Sequence, residues 1–202
     1  MDRTIVADWI GERKIGYTVC AFFSPENQRR IAKLQAELHR ALPGVLWTAS
    51  DVTQHHLTLF EIVMTYRDYP QDRETIFKDH EVAIDAELTA QLAHQGPVPV
   101  SLDTLEVSPS AIIVRGTDDG SFQRLRDVVS GKHLLPEGTR TPPDVIHSSL
   151  IRYVKEIDAE QVRSVVAGHQ LKLTEVVTQF EMVQVWRMPM DYTTLKTYKL
   201  LG

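Results

Sequence analysis

Two short runs of the chain pair a histidine with a hydroxyl side chain two residues later: His56-Leu57-Thr58-Leu59 and His147-Ser148-Ser149-Leu150, 91 residues apart. In an extended chain, side chains at i and i+2 share a face, about 6.5 Å apart along the strand. His56 and Thr58 then face one side and Leu57 and Leu59 the other; His147 and Ser149 are related in the same way. An imidazole exchanges protons near neutral pH, and a hydroxyl donates hydrogen bonds to non-bridging phosphate oxygens. Each pair therefore suits a phosphate. With 8 histidines in the chain, a single His-x-Ser/Thr is a weak signal. The context adds information: each run lies in a predicted strand, has an apolar residue after its histidine and holds an equivalent place in its half.

The elements that would carry these pairs can be read from periodicity. Tyr17 to Phe23 is a predicted strand. Ser24-Pro25-Glu26 starts a helix, with a capping hydroxyl, proline at the first position and an acid in the first turn. Ile31, Leu34, Leu38 and Ala41 mark its apolar face, and Pro43-Gly44 ends it. A short strand (Val45 to Ala49) and a longer one (Gln54 to Met64) follow, then a helix between Gln71 and His94, stopped by Gly96-Pro97. The second half repeats the order. Strands around Val98 to Val107 and Ala111 to Arg115 lead to a helix capped by Asp118-Asp119-Gly120-Ser121. A Pro- and Gly-rich loop, Leu135 to Asp144, delivers the chain to a strand from Val145 to Val154. Asp158-Ala159-Glu160-Gln161 resembles a capping box for a short helix, and two long strands, Leu171 to Arg187 and Tyr192 to Leu200, close the chain. Strand, helix, histidine-bearing strand thus occurs twice. The expected class is α+β: a single domain over 1–202, two antiparallel-rich sheets and helices outside. One lobe is expected to span roughly 15–97 plus the closing strands, the other roughly 98–200.

Composition narrows the function. Hydrophobic residues at 43% and charged residues at 24% fit a chain that buries a core,. No apolar run approaches the ~20 residues that span a bilayer. The segment Met1 to Lys14 lacks a signal-peptide profile. The single cysteine, Cys20, is expected to be buried in a strand, which makes a cytoplasmic address the expectation. A net charge of −5 and scattered basic residues argue against gripping a long duplex,. A nucleotide or a short RNA end remains compatible, and the expected state is a monomer. The chain has no phosphate-cradling Gly-x-x-x-x-Gly-Lys-Ser/Thr, no Gly-x-Gly-x-x-Gly, no Gly-x-Ser-x-Gly and no His-Glu-x-x-His,. Neither a metal nor another cofactor is expected.

The two tetrapeptides and their surroundings resemble the 2H phosphoesterase superfamily, which includes 2′-5′ RNA ligase-like proteins and cyclic phosphodiesterases. The likeness extends to Tyr17–Glu26, to Leu46–Leu59 and to Ile146-His147-Ser148-Ser149-Leu150-Ile151-Arg152, and covers roughly residues 15 to 200. Two departures are Ser149, where threonine is commoner, and His55, directly before the first motif. The resemblance implies a bilobed fold with pseudo-two-fold symmetry around a central groove where the motifs meet. It implies His56 and His147 as general acid and base, with their roles unassigned, and Thr58, Ser149 and Arg152 on the phosphate. By strict alternation Arg152 faces away from His147 and reaches the site only through a bulge or the strand end. Phe60 and Tyr153 share the parity of the motif residues and are candidates to flank a base or sugar. The implied activity is metal-independent opening of a 2′,3′-cyclic phosphate. Alternatives are a 2′-5′ linkage with reversible RNA joining, an ADP-ribose cyclic phosphate, or a nucleotide-binding module without catalysis.

Overall fold

The structure, a computed structural model, describes residues 13–47, 54–187 and 190–202. Nine strands and four helices are found among them, in the order β1 (Gly16–Phe22), α1 (Pro25–Ala41), β2 (Leu46–Trp47), β3 (His56–Val63), α2 (Arg73–Leu92), β4 (Val98–Val107), β5 (Ala111–Thr117), α3 (Ser121–Gly131), β6 (Ile146–Tyr153), α4 (Ala159–Val166), β7 (Leu173–Val177), β8 (Gln179–Arg187) and β9 (Asp191–Lys199). The chain is α+β. Its strands form two antiparallel sheets, ordered β3-β1-β8-β9 and β2-β6-β5-β4-β7. Setting β2 aside, the two sheets run alike: a histidine strand, then the strand that precedes it in its half, then two more. That correspondence is the expected pseudo-symmetry.

The helices form where local chemistry stops and starts them. Pro25 opens α1 and Ile31, Leu34 and Leu38 bury its inner face, but Ser24 does not cap it as the sequence suggests. Its amide and hydroxyl both donate to Glu175, at 2.8 and 2.9 Å. α2 has the side chain of Asp72 on the amides of Glu74 and Thr75. α3 follows Gly120, whose φ of +86° favours glycine,. There Asp118 and Asp119 take the amides of Phe122 and Ser121.

Two expectations change in the sheets. The segment predicted as one strand from Leu171 to Arg187 is two strands in different sheets: β7 pairs with β4, and β8 pairs with β1. The break at Thr178 lets the chain cross from the second lobe back to the first. Of the strand expected over Val45 to Ala49, Leu46 and Trp47 are seen as β2 on β6, and 48–53 lie outside the described residues. One apolar cluster joins both sheets and all four helices, leaving the opposite sheet faces free to build a groove. Among the described residues, no helix is long and apolar enough to cross a membrane.

Candidate active site

The histidine strands β3 and β6 flank a groove of about 290 Å³, which His56, Thr58, His147, Ser149 and Arg152 all help to line. The charge of His147 reaches His56, and the charge of Arg152 reaches both. On both strands burial alternates through the motif: His56 and Thr58, like His147 and Ser149, are half-buried, with buried leucines or serine between. The Nδ1 of His56 bonds the carbonyl of Gln54 at 2.8 Å. As only a protonated Nδ1 can donate to a carbonyl, this leaves Nε2 as the reactive nitrogen. In His147 the Val145 carbonyl, also two residues back, favours protonation, though Nδ1 closes no hydrogen bond of good geometry. Burial holds both imidazoles below the usual histidine value.

Past the hydroxyls, each strand carries a bulge at the same place. In β3 the register with β1 skips Leu59, with Phe60 opposite Val19 and Thr58 opposite Cys20. In β6 the register with β5 skips Leu150, with Ile151 opposite Ile112 and Ser149 opposite Ile113. A bulge inserts one residue and re-aims those after it. The first consequence is that Arg152 shares the groove face with His147 and Ser149. Strict alternation fails for it. The second concerns Phe60 and Tyr153, which the parity argument put on the groove side. Both are turned into the core instead, 0% and 4% exposed, and Tyr153 bonds the Ser108 carbonyl. Neither is placed to touch a ligand in the groove.

Each bulge is held from the opposite lobe. Arg126 of α3, buried, donates from Nη2 to the Thr58 carbonyl and from Nε to the Leu59 carbonyl, both at 2.8 Å, and from Nη1 to Val145 at 3.2 Å. Gln35 of α1 donates to the Leu150 carbonyl at 2.6 Å and contacts Nε2 of His55 at 2.8 Å, while the Ser149 backbone bonds the His55 ring. His55 thus lies behind the site as a buried neutral imidazole, its pKa lowered to about 4 chiefly by burial.

Other residues at or beside the groove had no motif to announce them. Phe22 lies directly across from His56 in the β1–β3 register. It packs edge-on to that ring at 5.8 Å and stacks on Tyr192 at 4.8 Å. Glu61 comes onto the groove face through the Leu59 bulge and receives a 2.7 Å hydrogen bond from Tyr66. The loop before β6 is pinned by Thr139, whose hydroxyl donates to the Ile62 carbonyl at 2.8 Å, and it places Arg140 to Pro143 on the rim.

No protein-family model matches the chain. No curated protein matches it either. Solved structures do. E. coli LigT complexed with NADP+ superposes with a TM-score of 0.65 at 15% identity, covering 95% of this chain and 100% of LigT. The chain has the LigT fold. TT0787 of Thermus thermophilus shares it at TM-score 0.62 and 17% identity over 93% of this chain and 98% of its own. The PDE domain of MHV ns2 matches at 0.52 and 13% identity, over 85% and 99%. The LigT fold is the bilobed architecture that the resemblance to 2H phosphoesterases leads one to expect.

Proposed function

We propose that this chain is a 2H-type phosphodiesterase that opens a 2′,3′-cyclic phosphate on a nucleotide or short RNA end, without a metal. The observation that carries the reading is the convergence of His56 and His147, with their hydroxyl partners and Arg152, on one groove. Phosphorus between the two imidazoles has a water on one side, deprotonated by the neutral histidine. On the other side the leaving sugar oxygen takes a proton from the charged one. Thr58 and Ser149 donate to the non-bridging oxygens, and the Arg152 guanidinium offsets the charge that grows as phosphorus becomes five-coordinate. Phe22 and Tyr192 offer an aromatic wall beside His56 for the nucleoside. Support for a nucleotide ligand comes from LigT, which is known in complexes with 3′-AMP, ATP and NADP+.

The test uses the four 2′,3′-cyclic mononucleotides, a 2′-5′ linked dinucleotide and an ADP-ribose cyclic phosphate, each with chelator. His56→Ala and His147→Ala are expected to lower turnover of the cyclic mononucleotides by about 10²–10⁴-fold each. Turnover confined to another arm moves the substrate, and binding without turnover in any arm leaves a nucleotide-binding module.

A further inference from the structure

The two motif strands match in their first two groove positions and differ in the third. On β3 the row is His56, Thr58, Glu61, opposite Phe22, Cys20 and Thr18 of β1. On β6 it is His147, Ser149, Arg152, opposite Arg115, Ile113 and Ala111 of β5. Both third positions are reached through the bulge, and both side chains line the groove. The histidines and hydroxyls repeat; the third place holds an acid in one lobe and a base in the other.

A phosphate held between the histidines and their hydroxyls lies about three strand residues, roughly 10 Å along the strand, from the backbone of each third residue, within the electrostatic range of its long side chain. Arg152 meets one negative charge on that phosphate. Glu61 meets any second one. We propose that Glu61 is a specificity residue that makes the groove select by phosphate charge, accepting a phosphodiester with one negative charge and turning away a phosphomonoester with two. This rests on the reading above, that a phosphate sits between the histidines, and it goes further by assigning how the opened product is released. Opening the ring converts a monoanion into a monoester whose second ionisation lies near pH 6, so the product gains repulsion that the substrate lacks.

The surroundings of Glu61 fit that role. Its carboxylate accepts the Tyr66 hydroxyl at 2.7 Å. Burial holds the carboxyl above its ordinary value, and the Tyr66 hydrogen bond and the charges of Arg152 and Arg140 offset this in part. Two guanidinium groups and one carboxylate at this end of the groove suit one added negative charge better than two. Were Glu61 needed only to hold Arg152, its removal would weaken every anion; were it reading a donor on the nucleoside, its removal would weaken the diester most.

The experiment is calorimetric binding at pH 8 in a His56→Ala/His147→Ala background, which lacks both proton-transfer groups, with and without Glu61→Gln. The probes are adenosine 2′- and 3′-monophosphate, and adenosine 2′,3′-cyclic phosphate, which this background leaves intact. Glu61→Gln is expected to tighten the monoesters by about tenfold, the scale of one charge at this distance in a partly screened groove, and the cyclic diester by about threefold or less. Glu61→Ala serves if the glutamine variant does not fold, with the same expectation. Equal tightening of all probes, unchanged monoester affinity, or weakening of any probe overturns the assignment. Absence of turnover by the parent protein bears on the phosphodiesterase reading alone, because these affinities are measured without turnover.

Discussion

At the scale of single residues, the account rests on side chains whose chemistry is fixed by what they touch. The hydrogen bond from Nδ1 of His56 to the Gln54 carbonyl sets the tautomer and points Nε2 at the groove. Arg152 is the clearest contrast between sequence and structure. Its candidacy came from the resemblance, from its place five residues after His147, but its orientation was not legible, because a bulge leaves no mark in hydrophobic alternation. The same blindness turned Phe60 and Tyr153 the wrong way and hid Glu61. Phe22 was legible only as a strand aromatic, since its cross-strand pairing with His56 is a fact of register. A residue that grips substrate and transition state through the phosphate should show in KM as well as kcat. Arg152→Met is therefore expected to lower kcat/KM by about 10²-fold, consistent with the loss of a charged hydrogen-bond donor, while the pH profile keeps both limbs. Steady-state kinetics across pH check this; a profile that loses a limb would mean Arg152 acts through a histidine.

At the scale of elements, the helices do more than cover the sheets. α1 and α3 each reach across to the other lobe and hydrogen-bond carbonyls at a bulge, with Gln35 on Leu150 and Arg126 on Thr58 and Leu59. The apolar faces of both helices were readable from their spacing. These polar contacts were not, because a glutamine or arginine among leucines gives no sign of which carbonyl it will meet. If Gln35 holds the Leu150 bulge, it holds Arg152 on the groove face. Gln35→Ala should then raise KM by about tenfold, and adding Arg152→Met should cost less than it does alone, a coupling of at least ~0.5 kcal/mol by double-mutant cycle. Additive effects would separate the clamp from the arginine. The break between β7 and β8 was likewise hidden, since a run that alternates through Thr178 looks like one strand whichever sheet each part joins.

For the whole molecule, the pseudo-symmetry brings two similar strands together at one groove, and the larger apolar cluster draws on residues of both lobes. The repeated element order in the sequence was enough to expect this, because each half must bury one face of its own sheet. Between the lobes sits His55, 7% exposed, bonded through Gln35 to the β6 side. Its pKa is about 4 in the folded chain against an ordinary 6.5, so the unfolded chain binds the extra proton first. Its contribution to stability is complete above pH 6.5 and is lost as pH falls toward 4. The loss comes to about 2–3 kcal/mol by pH 4.5. Urea unfolding at pH 7 and 4.5 should show that loss in the parent protein and a smaller one in His55→Leu; the same slope in both would place the acid sensitivity elsewhere.

The central claim is that two imidazoles exchange protons with one phosphate. Its most direct test is kcat/KM against pH for a 2′,3′-cyclic nucleotide in the presence of chelator, for the parent chain and for His56→Ala and His147→Ala. Because burial lowers both histidines, the profile should be a bell with its optimum on the acid side of 6.5,. The residual activity of each variant should keep one limb and lose the other. A bell that survives removal of either histidine, or activity that chelator abolishes, would contradict the account.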